Sequence, residues 1–423
     1  MNVPPRPSPL SMRLGPRPLP LHLATEGWLL QMSFAGLMPA STPSSNDSAL
    51  SKPIRQLAAE RANQSPDTYT QDWHHGLDVV AFVDALTREA KARMDRLLDG
   101  VNRYQTHTFK RTRVAPPSIW SHGAASLRDC GGPTEGPAVM VVPSLINRAY
   151  ILDLAEDRSL LASIAQSGMR TFLLDWGEPC AHERTFSMDD YIIRVMIPAL
   201  EHIVALTKTK PRLAGYCMGG TLTTAAAVMC PDLISGLALL AAPWDFHAGS
   251  DASRHFLTTF RPMIEGMITA QGCASVDFLQ AMFASLDPTL VGRKFRGFAV
   301  RDMATDAAQK FVELEDWLND GVPLVADVAR QCLFGWYSEN QTLKNAWKVG
   351  DTIIDPALIK APTLAVIPSH DRIVPPDSAK ALASRIPHAK IMTVDLGHIG
   401  MMAGSSAPNI LYAPFAKWLK ELR

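Results

Sequence analysis

Cysteine is scarce, neither sign of charge dominates, and long apolar runs are missing. Six cysteines in 423 residues, at 130, 180, 217, 230, 273 and 332, are too few and too scattered for a disulfide framework. None stands in a C-x-x-C or Cys/His spacing, so no metal site is expected. Lys+Arg equals Asp+Glu at 41 each, which removes the electrostatic case for a nucleic acid partner. No stretch reaches the roughly 18 to 20 uninterrupted apolar residues that a transmembrane helix needs. The nearest approach to a leader, Gly27 to Met38, follows Pro-rich sequence and is diluted by Glu26 and Gln31. A 47% hydrophobic content then fits a globular enzyme, and a chain with free thiols is expected in a reducing compartment, the cytoplasm.

One cysteine has distinctive neighbours. Gly215-Tyr216-Cys217-Met218-Gly219-Gly220 follows the strand-like Pro211-Arg212-Leu213-Ala214 and precedes an alanine-rich helical segment from Thr221. A G-x-C-x-G strand-to-helix turn is the pattern of a nucleophile elbow, whose strained backbone and close helix packing require small residues two before and two after the nucleophile. The helix N-terminus lowers a thiol pKa, and the amide of Met218 can face a developing oxyanion. The plain alternative is a structural thiol beside a Gly-rich turn. It loses ground because a candidate acid and base follow in the chain order of α/β-hydrolases. Asp371 follows the apolar run Thr363 to Ile367, and His398 follows Lys390 to Val394, each in a loop past a strand's carboxyl end. His370 and Asp395 compete for these roles. Asp395 is better suited to a turn or helix cap, and His370 has no acid after it. The other five cysteines read as structural thiols.

Along the chain, residues 1–66 hold a large share of the 32 prolines and no hydrophobic period, so a disordered Pro-rich tail is expected. Residues 67–135 form an N-terminal helical segment, with an amphipathic helix predicted from Gly76 to Val101. Short apolar strands then alternate with helix-length segments over 136–242 and 356–423. That pattern predicts a mostly parallel sheet with helices on both faces, the α/β-hydrolase fold. Strands vanish over 243–355, which reads as a helical cap insertion.

Val142 to Leu154, Leu174-Asp175-Trp176-Gly177-Glu178-Pro179, Met188 to Ile192, Glu315 to Asp320, Tyr337-Ser338-Glu339-Asn340, His370 to Pro376 and Gly397-His398-Ile399-Gly400 are separated motifs. Together they resemble the polyhydroxyalkanoate synthases, an α/β-hydrolase-fold family, and its class III catalytic subunit in particular. Arg103-Tyr104-Gln105-Thr106-His107 is similar to that class's N-terminal segment. The chain departs from the pattern in its Pro-rich extension, in Tyr216 and Met218, and at Glu178-Pro179-Cys180.

The resemblance implies an acyltransferase that polymerises 3-hydroxyacyl-CoA with release of CoA. Cys217 would accept the acyl group, His398 would act as base, Asp371 as its partner, and the amides of Met218 and Ile146 as the oxyanion hole. It implies no cofactor beyond the CoA thioester substrate, a second synthase subunit in a homo- or hetero-oligomer, and a place at polyester granules. Arg293, Lys294 and Arg296 are candidates for CoA contact, against the ordinary expectation of a solvated charged face. The competing functions are a thioesterase, esterase or polyester depolymerase on the same fold, and a catalytically silent granule protein.

Overall fold

A computed structural model describes residues 13–35, 79–249 and 251–422. It separates into two units, one of residues 1–108 with 287–312 and one of residues 109–286 with 313–423.

In the first unit, α1 spans Leu19–Ala35 and α2 spans Val79–Gln105. The predicted amphipathic helix is therefore present, but its apolar face is used unevenly: Leu97 and Val101 are buried while Phe82 and Val83 are exposed. Tyr104 meets the ring of Phe295 edge to face at 5.6 Å, and Phe298 stacks on Phe311 at 4.3 Å. The Arg296 guanidinium pairs with Glu26. Helix α1 corrects the expectation of disorder across 1–66. Pro16, Pro18 and Pro20 sit before or within its first turn, where proline costs little, and the fifteen residues from Leu21 to Ala35 hold no breaker except Gly27. The remainder of the expected tail, residues 1–12 and 36–66, lies outside the described residues, as do 67–78.

In the second unit the sheet forms from eight strands. They are β1 Ser118–His122, β2 Ala125–Asp129, β3 Ala138–Val142, β4 Arg170–Asp175, β5 Arg212–Tyr216, β6 Gly236–Leu240, β7 Thr363–Pro368 and β8 Lys390–Val394. Their order is β1-β2-β4-β3-β5-β6-β7-β8. β1 and β2 form an antiparallel hairpin on β4, and every other pairing is parallel. The hairpin corrects the reading of 67–135 as helical. Its Ser-, His- and Arg-containing strands carry too little apolar alternation to announce themselves in sequence.

Strands buried on both faces read as continuous apolar runs, and here the period of two divides them. Ala138, Met140 and Val142 of β3 join one core cluster with Leu213, Leu237 and Leu239. Val139 and Val141 join the other with Ala214, Tyr216, Ala238 and Leu240. Leu222, Ala225 and Ala226 of the helix Met218–Met229 (α3) cover the first face. Phe415 and Leu419 of the helix Ala413–Glu421 (α4) cover the second. Each fully buried Leu, Ile or Phe contributes about 1.5 to 3 kcal/mol, so the central strands anchor the loops at their ends. Residues 243–286 and 313–355 are chiefly helical, with only two-residue strands. Residues 287–312 of the expected cap belong to the first unit instead. Among the described residues no helix is long and apolar enough to cross a membrane.

Candidate active site

The carboxyl ends of β5, β7 and β8 deliver the three expected residues. Cys217 leaves β5 at φ 55° and ψ −129°, a backbone conformation unusual for a residue with a side chain, and α3 begins at the next residue. Its own amide donates to Leu240 O at 2.8 Å, and its carbonyl accepts from the Gly220 amide at 2.8 Å. The glycines are required by contact: a Cβ at Gly215 would stand 2.4 Å from Gly219 O, and one at Gly219 would stand 2.2 Å from Val142 O. The elbow is thus pressed between its own helix and the end of β3.

His398 and Asp371 meet across the two final loops. The Nδ1 of His398 lies 2.6 Å from Asp371 Oδ2, and both residues are buried. The other carboxylate oxygen accepts from the amides of Ile373 and Val374, each at 2.8 Å, which fixes its direction. Cys217 also acts on His398, raising the pKa of its imidazole. Burial alone would push the His398 pKa down. The Cys217 charge, the bonds to Asp371 and Cys217 and the Asp371 charge oppose it and carry the pKa up to about 10. The arrangement therefore favours a charged imidazolium at His398. The competing residues do not enter: His370 Nε2 and Asp395 Oδ1 pair with each other at 2.7 Å on the surface.

The two oxyanion candidates differ. Met218 is the first residue of α3, buried beside the nucleophile. The Ile146 amide donates to Ser144 Oγ at 3.2 Å, a long bond that an incoming oxyanion would have to displace or share. Its loop is nevertheless against the elbow, since a Cβ at Gly219 would also meet Pro143 O at 2.6 Å. A small cleft opens beside Leu145 between Trp176, Tyr191, Leu324 and Val328, and none of the three central residues lines it.

Three further residues crowd the cysteine. Tyr216 stacks on the His398 ring at 5.1 Å and its hydroxyl donates to the His398 carbonyl at 3.0 Å. The pKa values of Cys332 and Tyr337 are pushed up first by burial and then by the Cys217 charge, which places both groups within its field. Phe246 packs on Tyr337 at 4.9 Å and on Trp336 at 5.5 Å, closing an aromatic wall. In the sequence Tyr216 is visible only as an unusual neighbour of the cysteine. The CoA candidates are engaged locally: Arg293 pairs with Asp287 at 2.9 Å, Arg296 with Glu26, and Lys294 lies over the Phe295 ring. No cluster of His, Cys, Asp and Glu among the described residues could hold a metal.

A family model for the alpha/beta hydrolase fold matches residues 137–405. A poly(3-hydroxyalkanoate) polymerase subunit of Synechocystis sp. is 30% identical over 67% of this chain and 77% of its own length. That of Allochromatium vinosum is 26% identical over 80% of this chain and 98% of its own. That of Haloferax mediterranei is 27% identical over 67% of this chain and 58% of its own, so the chain spans little more than half of that relative. The sheet order, the elbow and these relatives agree: the chain belongs to the poly(3-hydroxyalkanoate) polymerase family, on the alpha/beta hydrolase fold.

Proposed function

We propose that the protein polymerises (R)-3-hydroxyacyl-CoA into a polyhydroxyalkanoate through an acyl group carried on Cys217. The observation that carries this reading is the short buried bond between His398 and Asp371 behind a cysteine on a strained elbow. Cys217 Sγ attacks the thioester carbonyl, the carbon–sulfur bond to CoA breaks, and the departing CoA takes its proton from His398. Exchange of one thioester for another leaves the acyl group activated at little change in free energy.

The second half-reaction follows from the electrostatics. Two of the influences that hold His398 protonated, a charge and a hydrogen bond, come from the free sulfur of Cys217. Acylation removes both, so the imidazole gives up its proton and becomes the base for the 3-hydroxyl of the acceptor. Such general-base help is worth about 10² to 10⁴ in rate. The hydroxyl oxygen bonds to the acyl carbon, the bond to Cys217 breaks, and the polyester gains one unit. Amides of Met218 and Ile146 hold the oxyanion in both halves, the first in place and the second after release from Ser144. CoA enters as substrate and leaving group, with no cofactor of the protein's own. The aromatic wall of Phe246, Trp336 and Tyr337 keeps water from the acyl-enzyme.

The relatives are named as subunits, and a second subunit in an oligomer at granules in the cytoplasm belongs to the same proposal. The test is incubation of the purified protein with 3-hydroxybutyryl-CoA, following CoA release and analysing the product. Polyester is expected; CoA release with only free hydroxy acid would replace the polymerase by a hydrolase.

A further inference from the structure

The loop that carries Ile146 is tied, beyond its own bond to Ser144, to a segment of the cap. The Val322 amide donates to Ile146 O at 2.8 Å, and Asn147 bridges Gly321 in antiparallel fashion. One turn on, the Trp317 indole N–H donates to Arg148 O at 2.8 Å. The Arg148 side chain then returns the contact, reaching Asp320 Oδ1 at 3.3 Å and Glu178 Oε2 at 2.6 Å. The Tyr150 hydroxyl donates to Asp320 Oδ2 at 3.2 Å. Five contacts among eleven residues thus zip Ile146–Tyr150 to Trp317–Val322.

From this geometry we propose that Trp317 and Asp320 are positioning residues for the oxyanion hole, coupling the cap to the amide of Ile146. The inference rests on the acyl-transfer reading above. Neither side chain touches the reacting atoms. The Ile146 amide and carbonyl lie on opposite ends of adjacent peptide units, and the carbonyl is pinned by Val322, so the direction of the amide follows from where the cap segment holds the loop. The Ser144 hydroxyl occupies that amide at 3.2 Å, and a small rotation of the loop decides whether it serves Ser144 or an oxyanion. Oxyanion donors act only when held at hydrogen-bond distance from where charge develops, which makes the clamp matter for the transition state and not for thiol reactivity.

Two probes separate these quantities. A short-chain alkyl trifluoromethyl ketone adds to Cys217: the sulfur–carbon bond forms, the carbonyl π pair moves to oxygen, and the thiol proton goes to His398. The adduct needs the oxyanion hole. Iodoacetamide alkylates the same sulfur by displacing iodide and makes no oxyanion. Trp317→Phe keeps a ring in the buried site and removes the indole donor. Asp320→Ala, on an exposed side chain, releases Arg148 and Tyr150 without opening the core and remains informative if Trp317→Phe does not fold. We expect ketone affinity to fall about 10-fold in the first variant and about 3-fold in the second, part of the 10² to 10³ that loss of a whole oxyanion donor costs, with alkylation rates within about twofold of the parent. Unchanged ketone affinity in both folded variants would overturn the clamp, and so would a parallel loss of ketone affinity and alkylation. A parent protein that is alkylated at Cys217 yet never traps the ketone would overturn the acyl-transfer reading itself, and the clamp with it.

Discussion

Two histidine–aspartate pairs join the same two loops at nearly the same distance, and they are chemically unlike. His398 and Asp371 meet at 2.6 Å with side chains 5% and 0% exposed; His370 and Asp395 meet at 2.7 Å with side chains 72% and 82% exposed. Each pair takes one partner from the loop after β7 and one from the loop after β8. What differs is the surroundings. Asp371 receives two backbone amides at 2.8 Å, whereas Asp395 receives the Ser369 hydroxyl at 3.3 Å. His398 has Cys217 on its other nitrogen's side and Tyr216 against its ring. Water screens the outer pair, and the protein interior leaves the inner one unscreened. Distance and residue type are therefore alike in the two pairs; burial and the neighbouring groups tell them apart.

The largest test of that contrast is to remove members of the inner set. Cys217→Ala should abolish CoA release while the protein stays folded, since the elbow already tolerates a Cβ at φ 55°. His398→Gln and Asp371→Asn should each lower turnover by about 10² to 10⁴. Steady-state CoA release with matched thermal melts checks all three, and normal turnover in Cys217→Ala would end the assignment.

A second test uses pH. His398 has its pKa raised to about 10 in the folded protein, above the 6.5 of a free imidazole. A group raised on folding adds stability that is complete below the unfolded pKa and is lost as pH rises through the folded value. The melting temperature should therefore decline between about pH 6.5 and 10 from this source, and less steeply in Cys217→Ala, which lacks the thiolate that supports the charge. Parallel curves for parent and variant would show that Cys217 does not hold the proton on His398.

Tyr216→Phe is a finer probe of the same centre. It keeps the stacked ring and deletes the hydroxyl that donates to the His398 carbonyl at 3.0 Å. One hydrogen bond of this kind is worth about 1 kcal/mol, so a loss of about fivefold in kcat is expected with little change in KM. An unchanged kcat would mean that Asp371 alone orients the imidazole.

The inner set was legible in sequence because each member sits beside a strong local signal. Glycines at 215 and 219 mark the elbow, and strands, buried before Asp371 and largely exposed before His398, precede the two residues by three and four positions. The fold's parallel part was legible for the same reason: β3 and β6 are apolar throughout, and β5 and β7 carry short apolar runs after Arg212 and Thr363. The β1–β2 hairpin and helix α1 were not, because one is too polar for its period to show and the other is masked by prolines at its entrance. Contacts between distant segments left no local trace. Nothing near Trp317 announces that its indole will reach Arg148, and nothing near Tyr216 announces that its ring will lie on His398, since both depend on the register of segments some 170 or more residues apart.

The smallest expected effect belongs to the outer pair. His370→Gln and Asp395→Asn leave in place the main-chain bonds that tie the two loops, from the Ser369 amide to Val394 O at 2.9 Å and from the His370 amide to Leu396 O at 3.1 Å. The side-chain bond is therefore redundant with the backbone for holding Asp371 opposite His398. Exposed ion pairs contribute under about 1 kcal/mol because solvent screens the attraction and two mobile side chains lose entropy. Each variant should keep turnover within about twofold of the parent, and its melting temperature should shift less than that of Tyr216→Phe, since a water-exposed bond is replaced by water and a buried one is not. A tenfold fall in kcat in His370→Gln, at unchanged melting temperature, would place the surface histidine in proton transfer and dissolve the distinction between the two pairs.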